Sequence, residues 1–361
     1  MISISLCMIV KNEEQSLGRC LHSVREVADE IVIVDTGSTD RTKEIAASFG
    51  AKIYDFTWID NFGAARNFSF SKATQSYILW LDADDVFEEV DRLKLIQLKA
   101  TLDPTVDSVT MNYHLSFNEA GQVTASLRRN RLVRRDRGFQ WEGPVHEVLI
   151  VGGHIFAADI AVTHKKDKEY TDRNLRIYRK READNEDFSP RDLYYFANEL
   201  RDHGLHYEAI VYYERFLNTK KGWIEDVYST CLKLGDCYGA LKDKEMQIRS
   251  YFRALNYDKP RAEMCCRVGA YFLDNNAIPI AIYWYETATN LGMPQGLMGN
   301  VDHAAWTWLP HLQLCLCYDR LGDKVKANLH NEKAFEYHPT HPSMIYNRSY
   351  FAKVLPKESE K

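Results

Sequence analysis

Through the first part of the chain, short runs of apolar and β-branched residues alternate with segments of helical period. Residues 2–10, 30–35, 51–55 and 77–82 read as strands. Between the first two, Asn12 is placed to cap a helix whose first turn carries Glu13 and Glu14, favourable at the positive end of the helix dipole. The next helix is expected from Ser38 or Thr39 to Gly50, a residue suited to the left-handed position after a helix end. This strand and helix order predicts right-handed crossovers and a mostly parallel sheet covered on both faces. Ligands of such sheets sit outside the carboxyl ends of the strands, here residues 10–12, 35–40 and 82–85.

From about Tyr194 the strand signal stops and a repeat begins. Gly235, Tyr238, Tyr251 and Ala254 recur 34 residues later as Gly269, Phe272, Tyr285 and Ala288. In each unit a small residue lets two helices approach and an aromatic fills the groove between them, a spacing similar to that of tetratricopeptide repeats. Residues 197–218 and 312–338, the latter followed by Pro339, fit less closely, as end repeats do. The basic, helix-rich stretch 165–181 is expected to join the halves, with the boundary at residues 188–190. The expected division is a sheet domain over 1–187, a repeat domain over 188–350 and a polar tail over 351–361.

Composition changes this picture little. The 361 residues are 45% apolar and 27% charged, which excludes a disordered chain and allows two cores. No apolar run approaches the ~18 residues needed to cross a bilayer, so no membrane span is expected. The apolar residues 1–10 lack a basic leader and a small-residue cleavage site and read as a first strand, not a signal peptide. Eight cysteines without a C-x-x-C pair point to reduced, buried thiols in a cytoplasmic protein. A net charge of −5 argues against duplex nucleic acid as the main partner. Between residues 120 and 135 there is no acid, yet Arg128, Arg129, Arg131, Arg134 and Arg135 fall there; the run is either a site for a polyanion or a solvated strand face.

The strongest chemical signal is Tyr77-Ile-Leu-Trp-Leu-Asp82-Ala-Asp84-Asp85, with three carboxylates at the end of a buried strand. Alternate residues of an extended segment face the same way, so Asp82 and Asp84 can converge. Hard oxygen ligands of this kind suit Mg²⁺ or Mn²⁺ with a substrate phosphate; the alternative is an acidic turn that caps the next helix. At the end of the second strand, Asp35 precedes Gly37-Ser-Thr-Asp40-Arg41-Thr42, either a plain turn into a helix or a place where Asp35 accepts hydrogen bonds from a base or ribose. Beside it, Val10-Lys11-Asn12-Glu13-Glu14 ends the first strand.

Taken in order and spacing, residues 8–14, 34–42, 61–67 (Asn61-Phe-Gly-Ala-Ala-Arg66-Asn67) and 81–84 resemble the family 2 glycosyltransferases of the type-A glycosyltransferase fold. The resemblance implies a nucleotide-sugar donor, most simply a UDP-sugar, bound by Val10, Lys11, Asn12, Glu13, Asp35, Arg66, Asp82, Ala83 and Asp84. Asp35 would lie near the base, Asp82 near the ribose, and Asp84 on Mn²⁺ or Mg²⁺ bridging the diphosphate. Trp141-Glu142-Gly143-Pro-Val-His146-Glu147 resembles a further motif of small bacterial members. A late histidine completes the metal shell in many relatives, and its counterpart is His164, here followed by Lys165 and Lys166. The repeat half narrows the resemblance to repeat-bearing enzymes, which include peptide S-glycosyltransferases of the sublancin type; lipooligosaccharide core glycosyltransferases are similar in the catalytic half.

The family implies inverting hexosyl transfer, which needs a base for the acceptor proton and cations for the leaving diphosphate. Glu147 is the first candidate base and Glu142 the second. Arg131 is a candidate cation, and Trp141 and His146 are candidate acceptor contacts, against plainer roles as a core aromatic and an orienting residue. Arg66 and Asn67 also fit as anchors of the helix opening near Phe62. The acceptor is expected to be a protein or peptide held by the repeats, which equally fit self-association. The alternatives are a cell-surface glycan acceptor, or a repeat scaffold whose catalytic half is inactive. A nucleotidyltransferase would need a glycine-rich basic loop after the first strand, where Lys11-Asn12-Glu13 stands.

Overall fold

The computed structural model describes residues 1–119, 121–165, 171–293, 299 and 301–355. The chain divides into two compact units, Met1–Ser116 with Ser126–Asp187, and Phe117–Ala125 with Phe188–Lys361. Among the described residues no helix is long and apolar enough to cross a membrane.

The first unit opens β1 (Ile4–Val10), α1 (Leu17–Val24), β2 (Glu30–Asp35), α2 (Thr42–Ser48), β3 (Lys52–Asp55), α3 (Phe62–Ser71) and β4 (Tyr77–Trp80). It continues with β5 (Asp85–Val86), α4 (Glu89–Thr101), β6 (Ser108–Phe117), β7 (Val123–Arg134), β8 (Gln140–Glu142), β9 (Val148–Ile150), β10 (Ile155–His164) and α5 (Arg173–Ala183). The main sheet runs β3-β2-β1-β4-β7-β6-β10-β5. The pairs β1–β2, β1–β4, β2–β3 and β10–β6 are parallel, while β4–β7 and β10–β5 are antiparallel. The expected mostly parallel α/β sheet is therefore present.

Strand pleating sorts the side chains between two cores. Ile4, Leu6, Met8, Leu79 and Leu81 pack with Leu17 and Leu21 of α1 and Leu95 of α4. Cys7, Val32, Ile78 and Trp80 face the other way, against Phe70 of α3 and Trp141 of β8. The register Val10↔Asp35 and Cys7↔Trp80 brings the ends of β1, β2 and β4 to one edge.

Helix starts differ from expectation. Asn12 has a left-handed φ of 53° and caps nothing; α1 begins at Leu17, and α2 begins at Thr42 instead of at Ser38 or Thr39. The reason is that the two loops satisfy each other. The amides of Asn12, Glu13 and Glu14 donate to Ser38 Oγ (2.9 Å), Thr42 Oγ1 (2.7 Å) and Asp40 Oδ2 (3.1 Å), and the Thr39 amide donates to Asn12 Oδ1 (2.8 Å). Amides paired across loops do not need a helical first turn. Gly50 takes the expected left-handed conformation, φ 73°.

The second unit is the expected helical solenoid, save for the strand ends within Phe117–Ala125 and a two-residue strand at Val301–Asp302. It contains α6 (Pro190–Asp202), α7 (His206–Thr219), α8 (Ile224–Ala240), α9 (Lys244–Arg253), α10 (Ala262–Asp274), α11 (Ile278–Asn290), α12 (His303–Trp306), α13 (Trp308–Arg320), α14 (Lys324–Tyr337) and α15 (Pro342–Val354). Helices pack as consecutive pairs, α6 with α7, α8 with α9, α10 with α11 and α13 with α14. The repeat glycines explain the closeness of the pairs: a Cβ at Gly235 would stand 2.2 Å from the Tyr251 ring, and one at Gly269 2.8 Å from Tyr285. Ser189 and Asp192 form a capping box with Pro190 in the first turn of α6.

The main division falls between Asp187 and Phe188. The stretch 165–181 is not merely a connection, because α5 clusters with the sheet unit; residues 166–170, including Lys166, lie outside the described residues. The expected polar tail from 351 begins later, since α15 runs to Val354 with Phe351 buried, and residues 356–361 lie outside the described residues. All eight cysteines are free and buried.

Candidate active site

A cavity of about 640 Å³ opens at the carboxyl edge of the sheet. Its walls include Val10, Lys11, Asn12 and Glu13 after β1, Asp82, Ala83 and Asp84 after β4, Arg66 of α3, His146 and Glu147 between β8 and β9, and His164 at the end of β10. Each element arrives from a distant stretch of sequence, and the sheet register fixes where it ends.

The acidic end is built by the antiparallel pairing of β10 with β5, which sets His164 opposite Asp85. His164 Nδ1 lies 3.5 Å from Asp84 Oδ1 and 3.6 Å from Asp85 Oδ1, and 3.0 Å from the Tyr113 hydroxyl. The nearby carboxylates of Asp84 and then Asp85 hold the imidazole pKa up at about 10. One ligand atom from each of Asp84, Asp85 and His164 falls within 4.8 Å of the others, and Asp85 Oδ1 is buried with no hydrogen-bond partner among the described residues. Two carboxylates and an imidazole at this spacing fit a divalent cation. Asp85 is already committed, however: fully buried, it pairs with Arg131 at 2.9 Å. Asp84 and His164 both line the cavity.

A second hub centres on Arg66. Its Nε donates to Glu147 Oε1 at 2.6 Å and its Nη2 to Asp82 Oδ1 at 2.7 Å, with the guanidinium 5.0 Å from the Trp80 ring and 4.8 Å from the Trp141 ring. Burial acts to raise the Asp82 carboxyl, but Arg66, with Arg131 and Arg129 behind it, holds it down at about 2. A planar, two-pronged cation is thus shared by a carboxylate of the acidic end and one of the β8–β9 loop.

Residues 5–162 match the model of glycosyl transferase family 2. This segment is a family 2 glycosyltransferase domain. Over 149 residues the chain is 40% identical to a TPR repeat-containing protein of Synechococcus elongatus, covering 41% of this chain and 36% of that protein. It is 27% identical over 236 residues to the SPbeta prophage-derived glycosyltransferase SunS of Bacillus subtilis, covering 61% and 54%. Over 165 residues it is 28% identical to the lipopolysaccharide core biosynthesis glycosyltransferase LpsC of Rhizobium meliloti, covering 43% and 59%. The chain spans about a third to three fifths of the length of these relatives.

Within the family 2 domain several expected site residues stand elsewhere. Arg131 does not face the cavity; it is fully buried between the Trp80 and Tyr113 rings, 4.0 and 4.4 Å away, and neutralises Asp85. Two residues back on the same strand face, Arg129 lines the cavity in its place. Arg128 points the other way, onto Asn112, Thr110 and the Ala158 carbonyl. Trp141 is a buried support, edge-on to Trp80 at 4.7 Å and held at its backbone by Asn67, so its expected acceptor contact gives way to the core role. Glu142 is exposed on β8 and is absent from the cavity wall. Asp35 is buried, with Oδ1 taken by the Gly37 and Ser38 amides (3.0 and 2.9 Å), and Thr36 lines the cavity beside it. Sequence reasoning missed Trp58, Tyr113, Thr171, Arg173 and Asn174 on the wall, residues with no motif around them.

Proposed function

We infer that this protein transfers a hexosyl group, with inversion, from a nucleoside diphosphate sugar such as a UDP-sugar to an acceptor hydroxyl or thiol. The observation that carries this reading is the pairing of Asp84 with His164 at the carboxyl edge of a family 2 glycosyltransferase domain. Mn²⁺ or Mg²⁺ bound there would offset the charge that grows on the leaving diphosphate. Lys11 and Arg129 line the same cavity and add fixed positive charge for that group. Glu147 takes the acceptor proton, and Arg66 holds its carboxylate in place while tying it to Asp82. Asp82 receives the ribose hydroxyls, and Asp35 supports the base side of the site through the turn it closes.

For the acceptor, a glycan has the LpsC relative in its favour. A protein or peptide rests on the repeat array, whose stacked helices form an extended surface that also fits pairing of two copies. Eight free thiols fit a reducing, cytoplasmic setting.

Release of nucleoside diphosphate from a panel of nucleotide sugars, with and without Mn²⁺, tests the reading. Asp84→Asn is expected to fold normally and to lose on the order of 10³-fold in Mn²⁺-dependent turnover. His164→Ala is expected to raise the Mn²⁺ concentration needed for half-maximal rate. Unchanged Mn²⁺ dependence in both folded variants overturns the assignment.

A further inference from the structure

Glu147 stands in a loop that the main sheet does not hold. The strands on either side of it, β8 and β9, are three residues each and among the described residues pair only with one another, Trp141 opposite Leu149 and Glu142 opposite Val148. A two-stranded hairpin is marginal by itself, so the loop needs another support. That support is α3. The Phe62 amide donates to the Pro144 carbonyl (2.8 Å), and Gly63 lies so near that a Cβ there would stand 2.6 Å from the Gly143 carbonyl oxygen. One turn on, Arg66 Nε donates to Glu147 Oε1 (2.6 Å). Next to it, Asn67 makes two bonds to a single residue: its Oδ1 accepts from the Trp141 amide (2.8 Å) and its Nδ2 donates to the Trp141 carbonyl (2.9 Å). In an antiparallel pair the N–H and C=O of one residue point to the same side, and the Asn67 side chain meets both as a neighbouring strand would. The helix is itself anchored, since Asn61 Oδ1 accepts from the Ala64 amide (2.8 Å).

Resting on the reading of Glu147 as the base, we propose that Asn67 is a positioning residue for the transfer reaction. It ties the start of segment 141–147 to α3, while Arg66, the residue before it, ties the end. With both ends fixed to adjacent residues of one helix, the Glu147 carboxylate is held at the cavity wall. Between the two ties the chain passes through left-handed Gly143 (φ 98°) and His146 (φ 51°); for a histidine this is a conformation that surrounding contacts have to impose. From the inside, the buried Trp141 ring is braced edge-on by Trp80 at 4.7 Å and by Phe70 at 5.9 Å. Asn67 itself lines a separate cavity of about 280 Å³, with Phe70, Ile78 and Arg135, and is absent from the wall of the active-site cavity. It therefore acts through Glu147 and not on a substrate. A reacting group displaced by about 1 Å can cost on the order of 10²-fold in rate, which is the scale of effect open to a residue placed here.

The full chain with UDP-glucose and Mn²⁺ gives the test, read as kcat and donor KM for UDP release, UDP binding by titration, and amide hydrogen exchange. Asn67→Ala is expected to lose at least about tenfold in kcat, with KM and UDP binding within about twofold of the parent. Exchange over residues 142–148 should quicken while β1 and β4 keep the parent rates. Gly63→Ala, which pushes on the Gly143 carbonyl and leaves both Asn67 bonds in place, should lower kcat in the same way. Where Asn67→Ala does not fold, Asn67→Asp, of the same shape but without the donor, carries the same measurements. In a Glu147→Gln background Asn67→Ala should add little to the loss, because both act through one carboxylate. Losses that multiply, or unaltered exchange over residues 142–148, overturn the proposal. So does a lower melting temperature with kcat unchanged, where Glu147→Gln does lower kcat; Asn67 is then a fold anchor only. Full turnover in Glu147→Gln, with exchange over residues 142–148 still quickened in Asn67→Ala, defeats the base reading and leaves the hold of Asn67 on the segment standing.

Discussion

Arg131 and Tyr251 are both large polar side chains sealed inside a compact unit, and they are sealed in by different means. Arg131 is fully buried; its charge is met by Asp85, and its faces by Trp80 and Tyr113, all contributed by other strands or loops. Tyr251 lies in the groove opened by Gly235 and sends its hydroxyl to Asp236 at 2.9 Å, and Tyr213 does the same to Asn198 at 2.7 Å one helix pair earlier. The helical unit repeats one local solution. The sheet unit assembles single solutions from distant residues, and its reactive groups sit in them.

Breaking the charge solution should have the largest effect. Arg131→Met leaves Asp85 buried without a counter-ion and is expected to cost about 3–5 kcal/mol in denaturant unfolding. Adding Asp85→Asn should restore much of that loss, because the stranded charge is what costs. A double variant no more stable than Arg131→Met would show that ring packing, not charge, holds the pair.

A smaller effect is expected from Glu30, also in the sheet unit. Its carboxylate is nearly covered and held by Lys52 (2.7 Å), Ser5 (2.5 Å) and the Thr74 amide (2.8 Å), which outweigh burial and keep its pKa at about 2. A depressed pKa gives stability that is complete above the ordinary glutamate value and is lost as pH falls through that value to about 2. The size is on the order of 3 kcal/mol. Unfolding between pH 6 and pH 2 should therefore be flatter in Glu30→Gln than in the parent; parallel curves would reject the assignment.

The repeat solution should yield the least per site. Gly235→Ala pushes a methyl group into the Tyr251 ring and is expected to cost about 1–3 kcal/mol, with Gly269→Ala costing less because its neighbour stands farther off. Equal, near-zero losses would mean that the helix pairs slide apart freely and that the glycines set no distance.

The same contrast explains what could be read from the chain. The solenoid was legible because its contacts lie 16 residues apart, as in Gly235 with Tyr251 and Gly269 with Tyr285, and recur. The strands β1, β2 and β4 were legible from apolar runs, and Asp84 with His164 from the family resemblance. Arg131 was misplaced because alternation puts it on the same face as Arg129 but does not say which of the two lies deeper. Asn12 was misplaced because its partners, Ser38 and Thr39, belong to another loop. Trp58 and Arg173 were invisible: an aromatic in the loop before α3 and a cation on α5, over a hundred residues apart, line the same cavity only in the fold.

The laced loops at residues 12–14 and 38–42 bear on the thermodynamics of whatever settles beside them. Their amides are spent on side-chain oxygens of the facing loop before any ligand arrives, so the ordering cost of these segments belongs to folding and not to association. A ligand at this edge meets a finished floor and gives up little entropy to it. The corollary is that these loops have little left to tighten, and the side chains that stand on the floor beside the cavity include Lys11 and Glu13.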